Sequence, residues 1–239
     1  MHPDSPISAT LVCWGNAWLS GRTGLDEAAD RVERQAGPQL AATAAGDVPL
    51  RRLLADLRGE ELSALRLALP VAGDPLGLTG PPPFNSAAVD AGQAAIAVLP
   101  GRCLGLVPAP DRRGSSYAGV RWSLFEASPA VPDLPSLAEA EQALTLTMRA
   151  AADALLGVEG PVQGRRPVRA DDEGLAPGYP ARAHRVAALA SRLAAVLRLA
   201  DDRGLTSGQV AVRSQALRDL DRAVRRARVA AHHAITELV

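Results

Sequence analysis

The chain changes its apolar period twice, and this limits the folds open to it. Up to Gly59 apolar residues recur at helical spacing. Between Leu65 and Glu126 they alternate or run on in short strand-like stretches, and beyond Pro132 the spacing is helical again. A chain patterned this way predicts an α+β fold. N-terminal helices and a small, mostly antiparallel sheet (a β-meander) come first, and a C-terminal three-helix bundle with a long terminal helix follows.

Leu11, Trp14, Gly15 and Trp18 stand at i, i+3, i+4 and i+7 and predict a helix over 9–19, broken at Ser20-Gly21-Arg22. Thr23 reads as the cap of a second helix, with Asp26 and Glu27 in its first turn and Leu25, Ala28, Ala29 and Val32 on one face. Asp47 reads as the cap of a third, carrying Leu50, Leu53, Leu54 and Leu57 until Gly59 stops it. Leu65, Leu67 and Leu69 then alternate with Ala64, Arg66 and Ala68, the period of a strand.

From Pro70 to Asn85 the sequence PVAGDPLGLTGPPPFN holds five Pro and three Gly, a composition foreign to helix interiors and central strands. A short helix is expected over 86–92, then meander strands at about 94–99, 103–108 and 118–126. Pro100-Gly101 and Asp111-Arg112-Arg113-Gly114 supply the turns.

After a Pro-rich boundary at Pro129–Pro135, Ser136 and Glu139 form a capping box, and Leu137, Leu144, Met148, Ala151 and Leu155 run down one helical face to Gly157. Residues 158–180 read as a long polar loop. Val186, Leu189, Leu193, Val196 and Leu197 make the next helix, closed by Gly204. Thr206 with Gln209, and Leu205 with Val210, open a last helix expected to reach about Leu238. At about 1.5 Å per residue it would measure roughly 45 Å, so part of it is expected to project or to meet a partner. The division falls at 1–132 and 133–239, as two domains or as two regions of one.

Composition removes whole classes. The 239 residues carry 26 basic and 26 acidic groups, a net charge of zero, which excludes histone-like and polyanionic chains. Every basic residue is Arg, and with Ala so abundant the missing Lys reads as the coding bias of a GC-rich genome. No apolar run is long enough for a membrane helix. Ile7–Leu19 has no preceding Arg and is interrupted by Trp14, Asn16 and Trp18, unlike a signal peptide. Cys13 and Cys103 are too far apart in sequence for a CxxC pair and read as buried small hydrophobes of a cytoplasmic protein.

The usual catalytic signatures are missing: no GxGxxG, GxSxG or HExxH, and no lysine for a P-loop or a Schiff base. His232 and His233 are adjacent, whereas a helical metal pair needs spacing of three or four. No catalytic residue, cofactor or metal ligand is therefore assigned. Three features remain as candidates. Asp74, Thr79 and Asn85 lie in the 70–85 loop, where strand ends and freed amides can build a ligand site, although a rigid connection reads at least as well. Arg165, Arg166 and Arg169 precede Asp171, Asp172 and Glu173, with His184 and Arg185 beyond, but consecutive acids lack the alternation of a calcium loop.

The third candidate is the last helix. Val210, Leu217, Val224, Ala231 and Leu238 take heptad position a, with Arg213, Leu220, Ala227 and Ala234 at d and Ala216, Ala223 and Ala230 beside them. Outside this small-residue seam stand Arg218, Arg222, Arg225, Arg226 and Arg228. From 213 to 228, six Arg against Asp219 and Asp221 leave a local charge of +4. This predicts a non-enzymatic cytoplasmic interaction or scaffold protein that self-associates, for instance as a homodimer, or docks a partner protein through its C-terminal helices, away from any membrane. Nucleic-acid binding through the Arg-rich helix is an alternative, opposed by the zero net charge and the lack of aromatics for base stacking. An enzyme or small-ligand binder at the 70–85 loop is the other.

Overall fold

The computed structural model describes residues 5–113, 117–156, 174–199 and 207–235. The chain folds as two units. The first joins Met1–Leu134 to Leu175–Pro180 and His232–Val239; the second joins Pro135–Gly174 to Ala181–Ala231. The fold is α+β, with helices at both ends of the sequence and a mixed six-stranded sheet.

The first unit runs α1 (Ile7–Leu19), α2 (Leu25–Ala36), β1 (Gln39–Thr43), β2 (Gly46–Pro49), α3 (Leu50–Gly59), β3 (Ala64–Ala68), α4 (Pro82–Ala91), β4 (Ala94–Leu99), β5 (Arg102–Arg113) and β6 (Tyr117–Ala127). The strand order is β2-β1-β6-β5-β4-β3. The meander expected over 94–126 is β4 to β6, each antiparallel to the next, and the separately expected strand β3 pairs antiparallel with β4. Beyond it, β1 lies parallel to β6 and β2 antiparallel to β1.

Side-chain alternation gives the sheet two covered faces. On one, Leu65, Leu67, Leu106 and Trp122 are buried, with α1 packed on β3 and β4 and α2 and α3 on β1. Helix α1 comes so close that a Cβ on Gly15 would collide with Leu65 Cδ1. On the other face α4 lays Phe84 and Ala88 over Ile96, Cys103, Val107 and Ala127. Gly105 is what lets the Phe84 ring sit on the strand. Each fully buried side chain of this size contributes about 2 kcal/mol by removing apolar area from water. Neither cysteine forms a disulfide, and both are buried.

β3 is the last strand of the sheet, so its outward backbone groups have no strand to pair with. Side chains and a loop take that place. Asn16 Nδ2 donates to the Leu65 carbonyl at 2.8 Å while its Oδ1 accepts the Leu65 N–H at 2.7 Å. The Leu67 N–H donates to His233 Nε2 at 2.8 Å, and the Leu69 N–H to the Leu76 carbonyl at 3.2 Å.

Several local expectations need correction. Thr23 does not cap α2; Gly24 holds the cap position and the Thr23 hydroxyl donates to Glu27 Oε2 at 2.8 Å. Asp47 is not a helix cap either: it sits in β2, ion-paired with Arg121, and Pro49 precedes α3. α4 begins at Pro82, four residues before the expected start, because Pro is well suited to a first helical turn. β5 continues through Arg113 where a turn was expected.

The second unit holds α5 (Leu137–Leu156), α6 (Ala181–Leu199) and α7 (Ser207–His233). The capping box at its start forms reciprocally. Ser136 N–H reaches Glu139 Oε2 at 2.9 Å, and Glu139 N–H reaches Ser136 Oγ at 3.3 Å. Arg182 on α6 pairs with Glu141 on α5 at 2.6 Å. α7 stops at His233, short of the expected Leu238, and a turn takes Ala234 and Ile235. Its 27 residues span about 40 Å.

Candidate functional site

The 70–85 loop folds back on itself. Val71 and Asp74 exchange backbone hydrogen bonds at 3.0 and 2.9 Å, and Leu76 and Leu78 turn inward as core residues. Asp74 is itself buried, at 7% exposure. Asn85 Oδ1 accepts the Gly80 N–H at 3.1 Å, and the Thr79 hydroxyl lies 3.5 Å from the Ser128 carbonyl. Asn85 thus closes the end of the connection between β3 and α4, and Thr79 faces the segment that follows β6. Neither of the two hollows described below is lined by Asp74, Thr79 or Asn85.

The arginines of α7 divide by environment. Arg218 is exposed and donates to Gln215 Oε1 at 2.9 Å; Arg222 is exposed, 4.0 Å from Asp219. Arg225 is half-buried and paired with Asp221 at 3.0 Å, the i,i+4 contact that the spacing implies, and Arg226 is also half-buried. Arg228 does not share their surface. It is 6% exposed, with Nη2 3.4 Å from Ser191 Oγ on α6. From Ala227 to His232 every residue is buried, so the basic stretch faces solvent only over the earlier turns of the helix. The apolar seam is buried where expected at Leu220, Ala223, Val224, Ala227, Ala230 and Ala231.

Between α5 and α7 lies a cleft of about 520 Å³ lined by Thr147, Ala150, Ala151 and Ala154 on one helix and Ala211, Gln215, Ala216 and Asp219 on the other. Small side chains at helical spacing leave this groove, since neither helix carries a bulky residue there to fill it. Leu146 on α5 and Val196 on α6 stay exposed at 56% and 48%. A second, more polar hollow of about 380 Å³ is bounded by Asp30, Glu33, Arg34, Gly37 and Pro38.

A charged cluster occupies strands β2, β5 and β6. Arg121 grips Asp47 at 2.8 Å, while Arg113 reaches Asp111 at 2.8 Å and Asp47 at 3.7 Å and lies over the Tyr117 ring. The hydrogen bond from Arg121 holds the Asp47 carboxyl below its ordinary value, and the same pairing raises Arg121. These opposite charges satisfy one another.

Sequence reasoning missed a buried polar cluster around Asn16 in the first unit. Cys13 Sγ accepts the Ala176 N–H at 3.1 Å, and the Tyr179 hydroxyl donates to the His232 carbonyl at 3.0 Å. Burial, then the neighbouring Cys13, pushes the Tyr179 hydroxyl well up, and Asn16 works against that rise. His233 is pushed the other way, down to about 4, by burial and by the Arg66 guanidinium. The available signal was an Asn in the middle of a mostly apolar helix.

Arg165, Arg166, Arg169, Asp171, Asp172 and Glu173, and the Thr206 cap, lie outside the described residues. His184 is half-buried on the first turns of α6. Among the described residues no group of three or more His, Cys, Asp or Glu could hold a metal ion, and no helix is long and apolar enough to cross a membrane.

The molecule is thus an α+β protein of two units, a mixed sheet under N-terminal helices and a three-helix unit with an alanine-lined cleft. It belongs to the Rv1486c-like protein family, whose N-terminal domain matches residues 8–137 and whose C-terminal domain matches residues 138–229. It is 30% identical to protein Rv1486c of Mycobacterium tuberculosis over 183 residues, which cover 62% of this chain and 63% of that one. It is 28% identical to protein ML1804 of Mycobacterium leprae over 292 aligned positions, 95% of this chain and 96% of that one. The match thus spans less than two thirds of the Mycobacterium tuberculosis relative, and nearly all of the Mycobacterium leprae one. No solved structure matches the chain.

Proposed function

We propose that the protein is a non-enzymatic interaction protein of the cytoplasm that docks an apolar helix in the cleft between α5 and α7, first of all the helix of a second copy. The observation that carries this reading is the lining of the cleft, where five of the eight residues are Ala. Small residues let two helix backbones approach closely, and the alanines leave room for a partner's larger side chains. Exposed Leu146 and Val196 on the same unit add apolar surface that a partner can remove from water. The exposed Arg218 and Arg222 suit an acidic rim on the partner, which would raise the rate of encounter more than the affinity.

Sedimentation of the full chain over a range of concentrations tests this reading. We expect concentration-dependent association, abolished in Ala150→Glu and Ala216→Glu, with circular dichroism unchanged from the wild type. A protein that stays monomeric throughout, with both variants behaving identically, removes the self-docking reading. Binding of duplex DNA that weakens steeply with salt would instead favour the Arg-rich helix as a nucleic-acid surface.

A further inference from the structure

The outer edge of β3 is sealed by bonds of different kinds. Leu65 is held on both backbone groups by the Asn16 amide, Leu69 by a backbone carbonyl, and Leu67 by an imidazole. Only the imidazole can change its protonation near neutral pH. At Leu67 the backbone N–H is the donor, so His233 Nε2 must carry a lone pair and the ring proton must sit on Nδ1. Protonation turns that acceptor into a second donor facing an N–H, and the bond is lost.

We propose that His233 is a proton-operated latch: as a neutral imidazole it seals the Leu67 N–H, and on taking up a proton it releases β3 at that point. The surroundings make the latch sensitive. Arg66, on the same strand, donates to the Ala130 carbonyl at 3.2 Å and lies 3.4 Å from Cys103 Sγ, which holds its positive charge in place. The other titratable groups on the neighbouring segments are Cys13 on α1, bonded to the Ala176 N–H, Asp74 in the loop after β3, paired with Val71, Tyr179, bonded to the His232 carbonyl, and His232 itself beside the latch. Among the described residues, the positive charge of Arg66 opposes proton uptake by His233. The latch therefore stays shut at neutral pH and opens only in acid.

Amide hydrogen exchange of the full chain, followed by NMR from about pH 7 to about pH 4.5, reads the latch directly. After correction for the intrinsic rate, protection at Leu67 should fall about tenfold per pH unit below about 6.5, while protection at Leu65 holds. In His233→Gln the carboxamide oxygen accepts at any pH, and the Leu67 profile should be flat. Equal slopes at Leu65 and Leu67, or a His233→Gln profile matching the wild type, overturn the proposal. If the variant does not fold, the nitrogen shifts of wild-type His233 decide at neutral pH. A ring protonated on Nδ1 alone supports the latch, and one protonated on Nε2 or on both nitrogens overturns it.

Discussion

The Asn16 side chain stands in for a neighbouring strand to Leu65, giving one hydrogen bond to its carbonyl and taking one from its N–H, at 2.8 and 2.7 Å. Both groups are buried, so truncating the amide leaves two backbone groups without water or partner. Asn16→Ala should cost about 2–4 kcal/mol. All three Trp of the chain lie in the first unit, so urea unfolding followed by their fluorescence reads that unit specifically. A change below about 0.5 kcal/mol for Asn16→Ala would contradict the bridge.

His233 predicts how stability depends on pH. Its pKa is lowered in the folded state to about 4 from an ordinary 6.5, so the unfolded chain binds more protons between those values. Stability should then rise with pH across that window, be complete above about 6.5, and be lost as pH falls toward 4, by up to about 3 kcal/mol. His233→Gln should flatten this window. Asp47 and Glu139, also lowered, lose their contribution only at lower pH, below the ordinary carboxylate range. Urea midpoints at a series of pH values separate the two regions.

Two glycines differ in what a methyl group would meet. At Gly105 a Cβ would overlap Cε2, Cδ2 and Cζ of the buried Phe84 ring, which cannot move aside without leaving the core. Gly105→Ala should cost about 1–3 kcal/mol, as over-packing does. At Gly15 the overlap is with Leu65 Cδ1, the end of a flexible side chain, and Ala also favours the helix. Gly15→Ala should therefore be the milder of the two, and thermal melts of both variants check the order.

The start of α5 depends on a pair of side chains. Ser136→Ala removes the acceptor for the Glu139 N–H and the donor to Glu139 Oε2, the latter at 2.7 Å. The cost should be about 1 kcal/mol, seen as an earlier loss of helical circular dichroism rather than of Trp fluorescence. A shift in the fluorescence transition alone would point to a different role for Ser136.

Much of the architecture was legible because the chain signals it locally. The helical stripe of α1, the strand at Leu65, the meander over 94–126 and the Ser136 box all follow from spacing. β1 and β2 were not legible. QLAAT and GDVP are short and poor in the residues that favour strands, and they become strands only by pairing with β6 and with each other. The fate of Asp47 follows from the same cause, since its partner Arg121 is 74 residues away. Arg228 was read from the helical wheel as part of an exposed face, but burial is decided by what packs around the helix, and it is buried. For the site, the small-residue seam showed a helix suited to close packing, while the cleft it forms with α5 depends on a second helix that no single segment specifies.

The hydrogen bond between Leu67 and His233 joins residues 166 positions apart, across the whole of the second unit. During synthesis the Leu67 N–H therefore stands unsealed until the last helix has left the ribosome, although Asn16 and Leu76 can already hold Leu65 and Leu69. Contacts this remote are slow to form, and an open border is where nascent chains stick to one another. The second unit is threaded into the sequence of the first, so the order of folding is set by the chain itself. The strands and helices can close early, and the Leu67 position of the sheet edge is sealed last.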